Sequence, residues 1–441
     1  MQYIEKNNNS SIVITGCGIV SSIGQEKSSF ISALLDGVNS FDIMKRPGRQ
    51  HNSKFIGAEF KDITELEKLN LKNIRRMSLS SKVALLALHE AWSEAKLDCD
   101  DPKRIGLIVG GSNFQQRELV LKQEQYRENP QFIPPTYGMS FMDSDLCGIC
   151  TEYFGIKGLA YTIGGASASG QLAIIQGIQA VESGKIDACI IIGALMDLSY
   201  LECQALRSLG AMGSDTFAEY PAKACRPFDK DRNGFIYGES CGAIVIERSD
   251  SAIKRDLIPY AEISGTFMNM DANRNPNPSF EGEVNVIKGV LENANIKSSE
   301  IDYINPHGSG SVIGDEAELK AIQSCNLSHA YINATKSIIG HGLTSAGLVE
   351  TIAVILQMKY LKLHPTRNLE NPIINSMNWV KDKSIDHEIK CALNLSIGFG
   401  GINTAMVLKN IDKKENKYGF CWNRSDECLW RNSLFRCNGI S

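Results

Sequence analysis

The sequence contains no long hydrophobic run and no block of basic residues. None of its apolar stretches approaches the ~18 residues that a membrane-spanning helix requires. Its formal net charge is only -4, which gives no case for attraction to nucleic acid or to a membrane surface. Residues 1–11 are polar and lack the basic and apolar regions of a secretory signal. We therefore expect a cytoplasmic protein that binds neither nucleic acid nor membrane.

The chain has 13 cysteines, but few of them stand close together in the sequence. Most stand singly, and several lie in apolar segments, as reduced core cysteines do. These are Cys17, Cys189, Cys241 and Cys391. Cys147 and Cys150 form a CxxC pair, but no second pair and no histidine stands at metal-ligand spacing. Buried thiols are the better interpretation, and no metal site is predicted.

The composition is that of a globular α/β protein. A hydrophobic fraction of 43% with 22% charged residues is ordinary for this class, and 441 residues are enough for two packed α/β units. Hydrophobic patterning predicts strands at residues 11–21, 105–111, 187–193, 330–334 and 391–397. It predicts helices at residues 85–95, 168–183 and 345–360. The polar residues 113–137 are expected to form a surface excursion or an interface flap.

Two segments of the chain resemble each other weakly. Residues 165–170 and 341–347 both place small residues where a loop enters an apolar helix. This echo predicts two similar halves, residues 1–262 and residues 263–411. The sequence then becomes charged, contains Trp and Cys and has no clear periodicity, so residues 412–441 are treated as a tail of unknown role.

Five motifs, in this order, resemble the β-ketoacyl-[acyl-carrier-protein] synthase (ketosynthase) family, and the resemblance covers nearly everything except the tail. The motifs are residues 14–20, 226–239, 305–315, 335–341 and 394–403. The resemblance implies an α/β fold, the thiolase-like αβαβα sandwich made of two pseudo-repeated halves. It also implies a homodimer that acts on groups carried by an acyl carrier protein.

One family residue is replaced. The family nucleophile is a cysteine in an Ala-Cys-x-Ser-Gly turn, and this chain has Ser167 at the position of that cysteine. The same matching implies that His307 and His341 are the two active-site histidines and that Lys336 organises them. Glu318 matches the supporting acidic residue. The chain is therefore most similar to the ketosynthase homologues with this Cys-to-Ser change, which decarboxylate malonyl-carrier protein for β-branching beside polyketide assembly lines.

Further residues match binding positions of the family. The backbone N–H groups of Ser167 and Phe399 match the oxyanion hole, and the Phe399 side chain matches a gate beside it. Ser309 and Ser311 stand where the family usually has threonines that line the pantetheine tunnel. The sequence Gly-Glu-Ser at 238–240 departs from the family, which usually has glycine in the third position. We have no functional interpretation of that departure from the sequence.

The replacement at position 167 affects only one of the two jobs of a ketosynthase. A thiol with a pKa of about 8.5 at a helix N-terminus is readily converted to the thiolate. An alkyl hydroxyl is not, because a helix dipole contributes only about 0.3–2 kcal/mol. Ser167 is therefore a poor acyl acceptor unless a base serves it. Loss of CO2 from a malonyl thioester instead needs donors to the developing enolate oxygen, and His307 and His341 can supply them.

The expected activity is therefore decarboxylation of malonyl-acyl carrier protein to acetyl-acyl carrier protein. The substrate arrives on the phosphopantetheine arm of the carrier, and no other cofactor is expected. Two alternatives stay open. One is an acyl-transferring or condensing enzyme that uses Ser167 as a nucleophile with a histidine as base. The other is a non-catalytic partner subunit akin to chain-length factors, although such subunits usually lose an active-site histidine.

Overall fold

A computed structural model describes residues 10–63, 65–69 and 77–411. Its strands are β1 (Ile12–Ser21), β2 (Asp42–Ile43), β3 (Ile56–Ala58), β4 (Ile105–Gly110), β5 (Ala160–Ile163), β6 (Ala188–Gly193), β7 (Tyr237–Gly238), β8 (Ser240–Arg248), β9 (Ala261–Met270), β10 (Tyr303–Asn305), β11 (Tyr331–Ile332), β12 (Lys362–Leu363), β13 (Asn378–Trp379), β14 (Ile385–Asp386), β15 (Cys391–Gly398) and β16 (Ile402–Lys409). Its α-helices are α1 (Lys27–Leu35), α2 (Leu79–Ala95), α3 (Gln116–Tyr126), α4 (Tyr137–Ser140), α5 (Ser144–Phe154), α6 (Ser169–Glu182), α7 (Tyr200–Ser208), α8 (Ser249–Lys254), α9 (Phe280–Asn293), α10 (Val312–Ser324), α11 (Lys336–Ile339) and α12 (Ala346–Tyr360).

The main sheet repeats one strand order twice. Its order is β13-β11-β10-β15-β16-β9-β1-β8-β6-β4-β5. Numbered along the chain, the five strands of the first half lie in the order 3-2-4-5-1, and the main strands of the second half have the same order, with β13 added at the edge. In both halves the fifth strand is antiparallel to its neighbours. The halves meet where β1 pairs with β9 over two residue pairs.

Two apolar helices lie between the halves of the sheet. α6 packs on β4 and β6, α12 packs on β8 and β15, and the two helices pack on each other. The approach is close, because a Cβ on Gly170 would lie 2.5 Å from the backbone nitrogen of Leu348. α2 covers the outer face of the first half, and α9 and α10 cover that of the second. The result is an αβαβα sandwich of two pseudo-repeated halves, as predicted.

Three buried apolar clusters correspond to these layers. The central cluster joins residues of α6 and α12 to strands of both halves, for example Ile174, Ile191 and Leu348. A second cluster lies between α2 and the first half of the sheet. A third lies among α9, α10 and the second half. Removal of this apolar surface from water is the main force that holds the layers together.

Some predicted elements need correction. The predicted strand 11–21 changes only at its first residue: β1 begins at Ile12 and runs through Gly16 and Gly18, and a Cβ at Gly18 would lie 2.0 Å from the carbonyl oxygen of Ala87 on α2. These glycines therefore allow a helix to approach the strand closely. The stretch 113–137 is not only a surface excursion, because it contains α3, which buries Arg117 and Val120. The predicted strand 330–334 is reduced to β11.

Other predictions are confirmed or remain predictions. The nine cysteines whose side chains the structure describes are all buried free thiols, including Cys147 and Cys150 on α5. Within the described ranges, no helix is both long and apolar enough to cross a membrane. The boundary at residue 262 remains a prediction. The predicted tail, residues 412–441, lies outside the described residues.

Candidate active site

Ser167 lies in a tight turn between β5 and α6. Ala166 has a φ of 46°, in the left-handed region that residues other than glycine rarely adopt. The Ser169 hydroxyl accepts the N–H of Gly165 at 2.9 Å and donates to the carbonyl oxygen of Ala166 at 2.6 Å. These bonds hold Ser167, which is buried, at the N-terminal end of α6. The helix dipole favours negative charge at that end.

His341 contacts Ser167 directly. Its Nε2 lies 3.1 Å from the Oγ of Ser167, and its Nδ1 accepts the backbone N–H of Leu343 at 3.2 Å. A backbone N–H can only donate, so Nδ1 carries no hydrogen, and a neutral ring then carries its hydrogen on Nε2. His341 therefore donates to Ser167 and does not accept from it. The ring of Phe235 meets the imidazole edge to face, with 5.2 Å between the ring centroids.

Backbone hydrogen bonds to residues 236–238 hold His341 in place. The N–H of His341 donates to the carbonyl oxygen of Ile236 at 2.7 Å, and the N–H of Gly238 donates to the carbonyl oxygen of His341 at 3.2 Å. A Cβ on Gly238 would lie only 1.9 Å from the carbonyl oxygen of Ile339. Only glycine permits this approach of β7 to the loop that carries the histidine.

The serine that departs from the family sequence has a structural contact. Ser240 places its hydroxyl 2.8 Å from the hydroxyl of Ser345, which precedes α12. The preceding residue, Glu239, is fully buried and forms ion pairs with Arg46 at 2.7 Å and Arg49 at 2.6 Å. The backbone that holds His341 is therefore anchored by hydrogen bonds on one side and by buried charges on the other.

His307 follows β10 and lies beside His341. The two ring centroids are 5.3 Å apart, and the ring planes are nearly perpendicular. Lys336 donates from Nζ to the backbone carbonyl oxygen of His307 at 2.5 Å and to Oε1 of Glu350 at 2.5 Å. The side chains of Lys336 and Glu350 are each 1% exposed. Lys336 is thus a buried cation that holds the backbone of His307 and not its ring.

Glu318 holds the same loop from the other side. Its two oxygens accept the N–H of His307 at 2.5 Å and the N–H of Gly308 at 2.8 Å. Burial raises the pKa of Glu318 to about 8, although these two hydrogen bonds oppose the rise. Glu318 therefore fixes the backbone N–H of His307, and Lys336 fixes its carbonyl oxygen.

The electrostatic environment favours neutral imidazoles. Burial lowers the pKa of His307 well below its ordinary value of 6.5, and the charge of Lys336 and the neighbouring His341 ring lower it further. Burial and Lys336 lower the pKa of His341 in the same way. Burial also raises the pKa of Glu350 to about 7, while its pairing with Lys336 opposes this. Both histidines are therefore N–H donors without charge near neutral pH.

Phe399 follows β15, and its side chain is 40% exposed. The residue before it, Gly398, packs on the turn that carries Ser167: a Cβ there would lie 2.5 Å from the carbonyl oxygen of Gly165 and 3.2 Å from the nitrogen of Ala168. The end of β15 and the Ser167 turn are therefore in direct contact. Such contact is needed if the N–H groups of Ser167 and Phe399 are to form one oxyanion hole, which remains a prediction.

The two predicted tunnel residues lie in the loop after His307. The hydroxyl of Ser309 accepts the N–H of Ser311 at 3.3 Å. The hydroxyl of Ser311 accepts the N–H of Gly314 at 3.3 Å and so caps the start of α10. Both side chains are partly exposed. Their place along a pantetheine tunnel remains a prediction.

Several contacts of this site were not predicted from the sequence. The Leu343 N–H that fixes the tautomer of His341 and the Phe235 ring beside it have no sequence signal, because any residue supplies an N–H and phenylalanines are common core residues. Glu350 could have been identified, because an acidic residue within an apolar helix needs a buried partner. The structure brings Ser167 and the two histidines together as the matching implied.

The fold and this arrangement define a condensing-enzyme class, and comparisons with known proteins agree. The Beta-ketoacyl synthase, N-terminal domain model matches residues 9–252, and the Beta-ketoacyl synthase, C-terminal domain model matches residues 260–370. The chain belongs to the beta-ketoacyl synthase family. A beta-ketoacyl synthase crystal structure from Burkholderia phymatum STM815 superposes with a TM-score of 0.83 at 24% identity, covering 91% of this chain and 100% of that one. It shares the thiolase-like fold.

Two curated relatives are more informative about this member. The chain is 61% identical over 402 residues to the polyketide biosynthesis malonyl-ACP decarboxylase PksF of Bacillus subtilis (strain 168), covering 91% of this chain and 97% of PksF. It is 33% identical over 417 residues to 3-oxoacyl-[acyl-carrier-protein] synthase 1 of Buchnera aphidicola subsp. Acyrthosiphon pisum (strain APS), covering 90% of this chain and 99% of the synthase.

Proposed function

We propose that this protein decarboxylates malonyl-acyl carrier protein to acetyl-acyl carrier protein in polyketide biosynthesis. The observation that carries the proposal is the pair of neutral histidines, His307 and His341, retained around a hydroxyl where the family has a thiol. The 61% identity to PksF, a malonyl-ACP decarboxylase, supports the same activity.

The chemical demand of the reaction matches two uncharged N–H donors. As CO2 leaves, negative charge moves from the carboxylate to the thioester oxygen, which becomes an enolate oxygen. N–H groups of His307 and His341 stabilise that charge, and each donor of this kind lowers a barrier by about 3 kcal/mol. A charged imidazolium would instead pair with the carboxylate of the substrate and stabilise the ground state. Neutral rings avoid this loss.

The other residues position the donors and surround the substrate. Lys336 and Glu318 hold the backbone of His307. Phe399 supplies an apolar surface that favours the change from charged carboxylate to neutral CO2. Ser309 and Ser311 line the path of the phosphopantetheine arm, which carries the malonyl group. The acyl carrier protein is thus both partner and substrate carrier, and the reaction requires no separate cofactor.

A condensing reaction through Ser167 is less well supported. A serine nucleophile needs a base that accepts its proton. The nitrogen of His341 that faces Ser167 is the one that carries hydrogen, because Leu343 occupies the other. His341 therefore cannot act on Ser167 as the histidine of a serine hydrolase does. A non-catalytic partner subunit is also less well supported, because both histidines and the Lys336–Glu350 pair are retained.

We also propose a homodimer in the cytosol. β5 ends the sheet, so one of its edges has no partner strand among the residues that the structure describes. Residues 132–142, which lead into α5 beside β5, expose large apolar side chains, among them Phe132, Met139 and Phe141. A second copy that pairs with β5 would cover both the strand edge and this apolar surface. The buried free thiols are compatible with a reducing compartment.

The function is tested by incubating the purified full-length protein with malonyl-carrier protein and measuring the mass of the carrier. We expect the carrier to lose the mass of CO2 and to remain an acetyl-carrier, without extension of any acyl chain. A carrier that keeps its malonyl group would support the non-catalytic alternative. Transfer of an acyl group to Ser167, followed by a product longer by two carbons, would support the condensing alternative.

A further inference from the structure

The hydrogen of the Ser167 hydroxyl is not used in its contact with His341. Since Nδ1 of His341 accepts the N–H of Leu343 at 3.2 Å, the imidazole hydrogen lies on Nε2, 3.1 Å from the Oγ of Ser167. In that contact the imidazole donates and the hydroxyl oxygen accepts. A hydroxyl has one hydrogen of its own, which is then free to point elsewhere in the site.

The chemistry after loss of CO2 calls for such a hydrogen. The enolate carbon must receive a proton before an acetyl group is formed. In the condensing members of this family, the same carbon attacks an acyl group held by the side chain at the position of Ser167. In this structure the Oγ of Ser167 lies 3.1 Å from Nε2 of His341, the proposed donor to the enolate oxygen, and the enolate carbon is bonded to the carbon that bears that oxygen, so the Ser167 hydroxyl lies beside the enolate carbon. In this chain the group that faces it is an O–H bond, which offers a proton where a condensing enzyme offers a carbonyl carbon.

We propose that Ser167 delivers the proton that converts the enolate into the acetyl group. The inference rests on the proposed decarboxylation and adds a step to it. The O–H bond of Ser167 breaks, and its hydrogen forms the new C–H bond with the electron pair of the enolate double bond. The thioester carbonyl is restored at the same time, and its oxygen loses the negative charge that the N–H groups of His307 and His341 had stabilised.

Water balances the step. The Oγ of Ser167 takes a proton from a water molecule, and the hydroxide so formed adds to CO2. The overall reaction converts malonyl thioester carboxylate and water into acetyl thioester and hydrogencarbonate. Protonation of the carbon removes the negative charge from the enolate oxygen, so the N–H of His341, 3.1 Å from Oγ, is then available to the transient charge on Oγ, which the N-terminal end of α6 also favours.

Delivery from a fixed group has a stereochemical consequence that a merely structural role lacks. A proton donated by Ser167 reaches only one face of the enolate, whereas solvent water that enters an unoccupied position can reach either face. The experiment uses a carrier-bound malonyl group with one tritium in a defined position on C2, and the reaction is run in D2O. The acetyl product then carries one hydrogen, one deuterium and one tritium, and its configuration is measured.

The expected result is one configuration in excess for the wild-type protein and for Ser167→Thr, which keeps a hydroxyl. Ser167→Ala should still release CO2, more slowly, and should lose the configurational excess. A wild-type product without excess, or an unchanged excess in Ser167→Ala, would overturn the inference alone. Complete loss of CO2 release in Ser167→Ala would also overturn it, because proton delivery follows the loss of CO2. A wild-type protein that releases no CO2 would overturn the proposed function itself.

Discussion

At the scale of single residues, the exchange of sulfur for oxygen at position 167 separates two activities that the family combines. A serine hydroxyl at a helix N-terminus stays protonated, because the dipole is far too weak to ionise an alcohol. The neighbouring His341 cannot compensate, since the nitrogen that faces Ser167 already carries hydrogen. We therefore expect acyl transfer to lose its nucleophile, while His307 and His341, the proposed donors to the enolate oxygen, are retained.

Because both histidines are neutral, we expect the acid limb of the pH–rate profile for CO2 release to lie at unusually low pH. The pKa values of His307 and His341 lie well below 6.5, so both rings stay neutral as the pH falls through that value. When His341 does gain a proton, it is placed on Nδ1, against the N–H of Leu343. The rate of CO2 release at saturating substrate should therefore decline only well below pH 6.5. A half-maximal rate at pH 6.5 or above would contradict this.

Removal of the buried cation should move that limb. Lys336 lowers the pKa of both histidines, so a variant without it should lose activity at a higher pH than the wild type. Lys336→Met alone would leave Glu350 buried and unpaired, which costs about 3–5 kcal/mol. The double variant Lys336→Met/Glu350→Gln avoids this cost, and the exposed Lys103→Met serves as control. A limb that stays in place or moves to lower pH would contradict the role of Lys336.

The sequence predicted the residues of the site better than their hydrogen bonds. Ser167, His307, His341 and Lys336 stand in motifs whose order is specific, so their assembly in one site could be anticipated. The direction of the bond between His341 and Ser167 could not, because it depends on a backbone N–H that any residue at position 343 would supply. The neutral state of the rings likewise depends on burial, which a single motif does not reveal.

At the scale of elements, the two turns that carry Ser167 and His341 are related by the internal repeat. Each precedes one of the two central helices, and each contains a residue with positive φ, Ala166 at 46° and Leu343 at 55°. The small residues common to residues 165–170 and 341–347 were the only sign of this relation in the sequence. Their shared use is close packing of α6 against α12, as the contact of Gly170 with Leu348 demonstrates.

The contact between β7 and the His341 loop predicts a sensitive glycine. Gly238→Ala places a methyl group 1.9 Å from the carbonyl oxygen of Ile339, so the loop that carries His341 must shift. We expect a large loss of kcat for CO2 release with a smaller change in KM, because the carrier arm binds elsewhere. Gly148→Ala on α5 is the matched control, since a Cβ there meets nothing within 4 Å. Equal kcat values in the two variants would contradict the importance of this contact.

At the scale of the whole molecule, the repeat of one strand order in both halves could be predicted only through family resemblance. The residues indicated individual strands and a weak echo, but not the order 3-2-4-5-1 or the short pairing of β1 with β9. Strand order depends on long-range pairing, which local hydrophobic patterns do not encode. Hydrophobic patterns also failed to predict α3, because this helix is mostly polar and is held in place by the buried Arg117.

The proposed dimer predicts a mass in solution of twice the 48.5 kDa of one chain. Light scattering coupled to size exclusion measures this directly. The double variant Phe141→Glu/Tyr161→Glu places charges on the exposed apolar surface beside and on β5, and it should shift the protein toward the mass of one chain. Leu209→Glu, at an exposed apolar residue outside residues 132–163, should leave the mass unchanged. A wild-type protein with the mass of one chain would contradict the dimer.

The division of work between the two histidines and Ser167 is tested most directly by the initial rate of CO2 release from malonyl-carrier protein. The wild type is compared with His307→Ala, His341→Ala and Ser167→Ala, each with its folding checked by circular dichroism. Loss of one enolate donor should lower the rate by about 100-fold or more in each histidine variant, and Ser167→Ala should lower it by less. Equal rates in the wild type and both histidine variants would contradict the assignment.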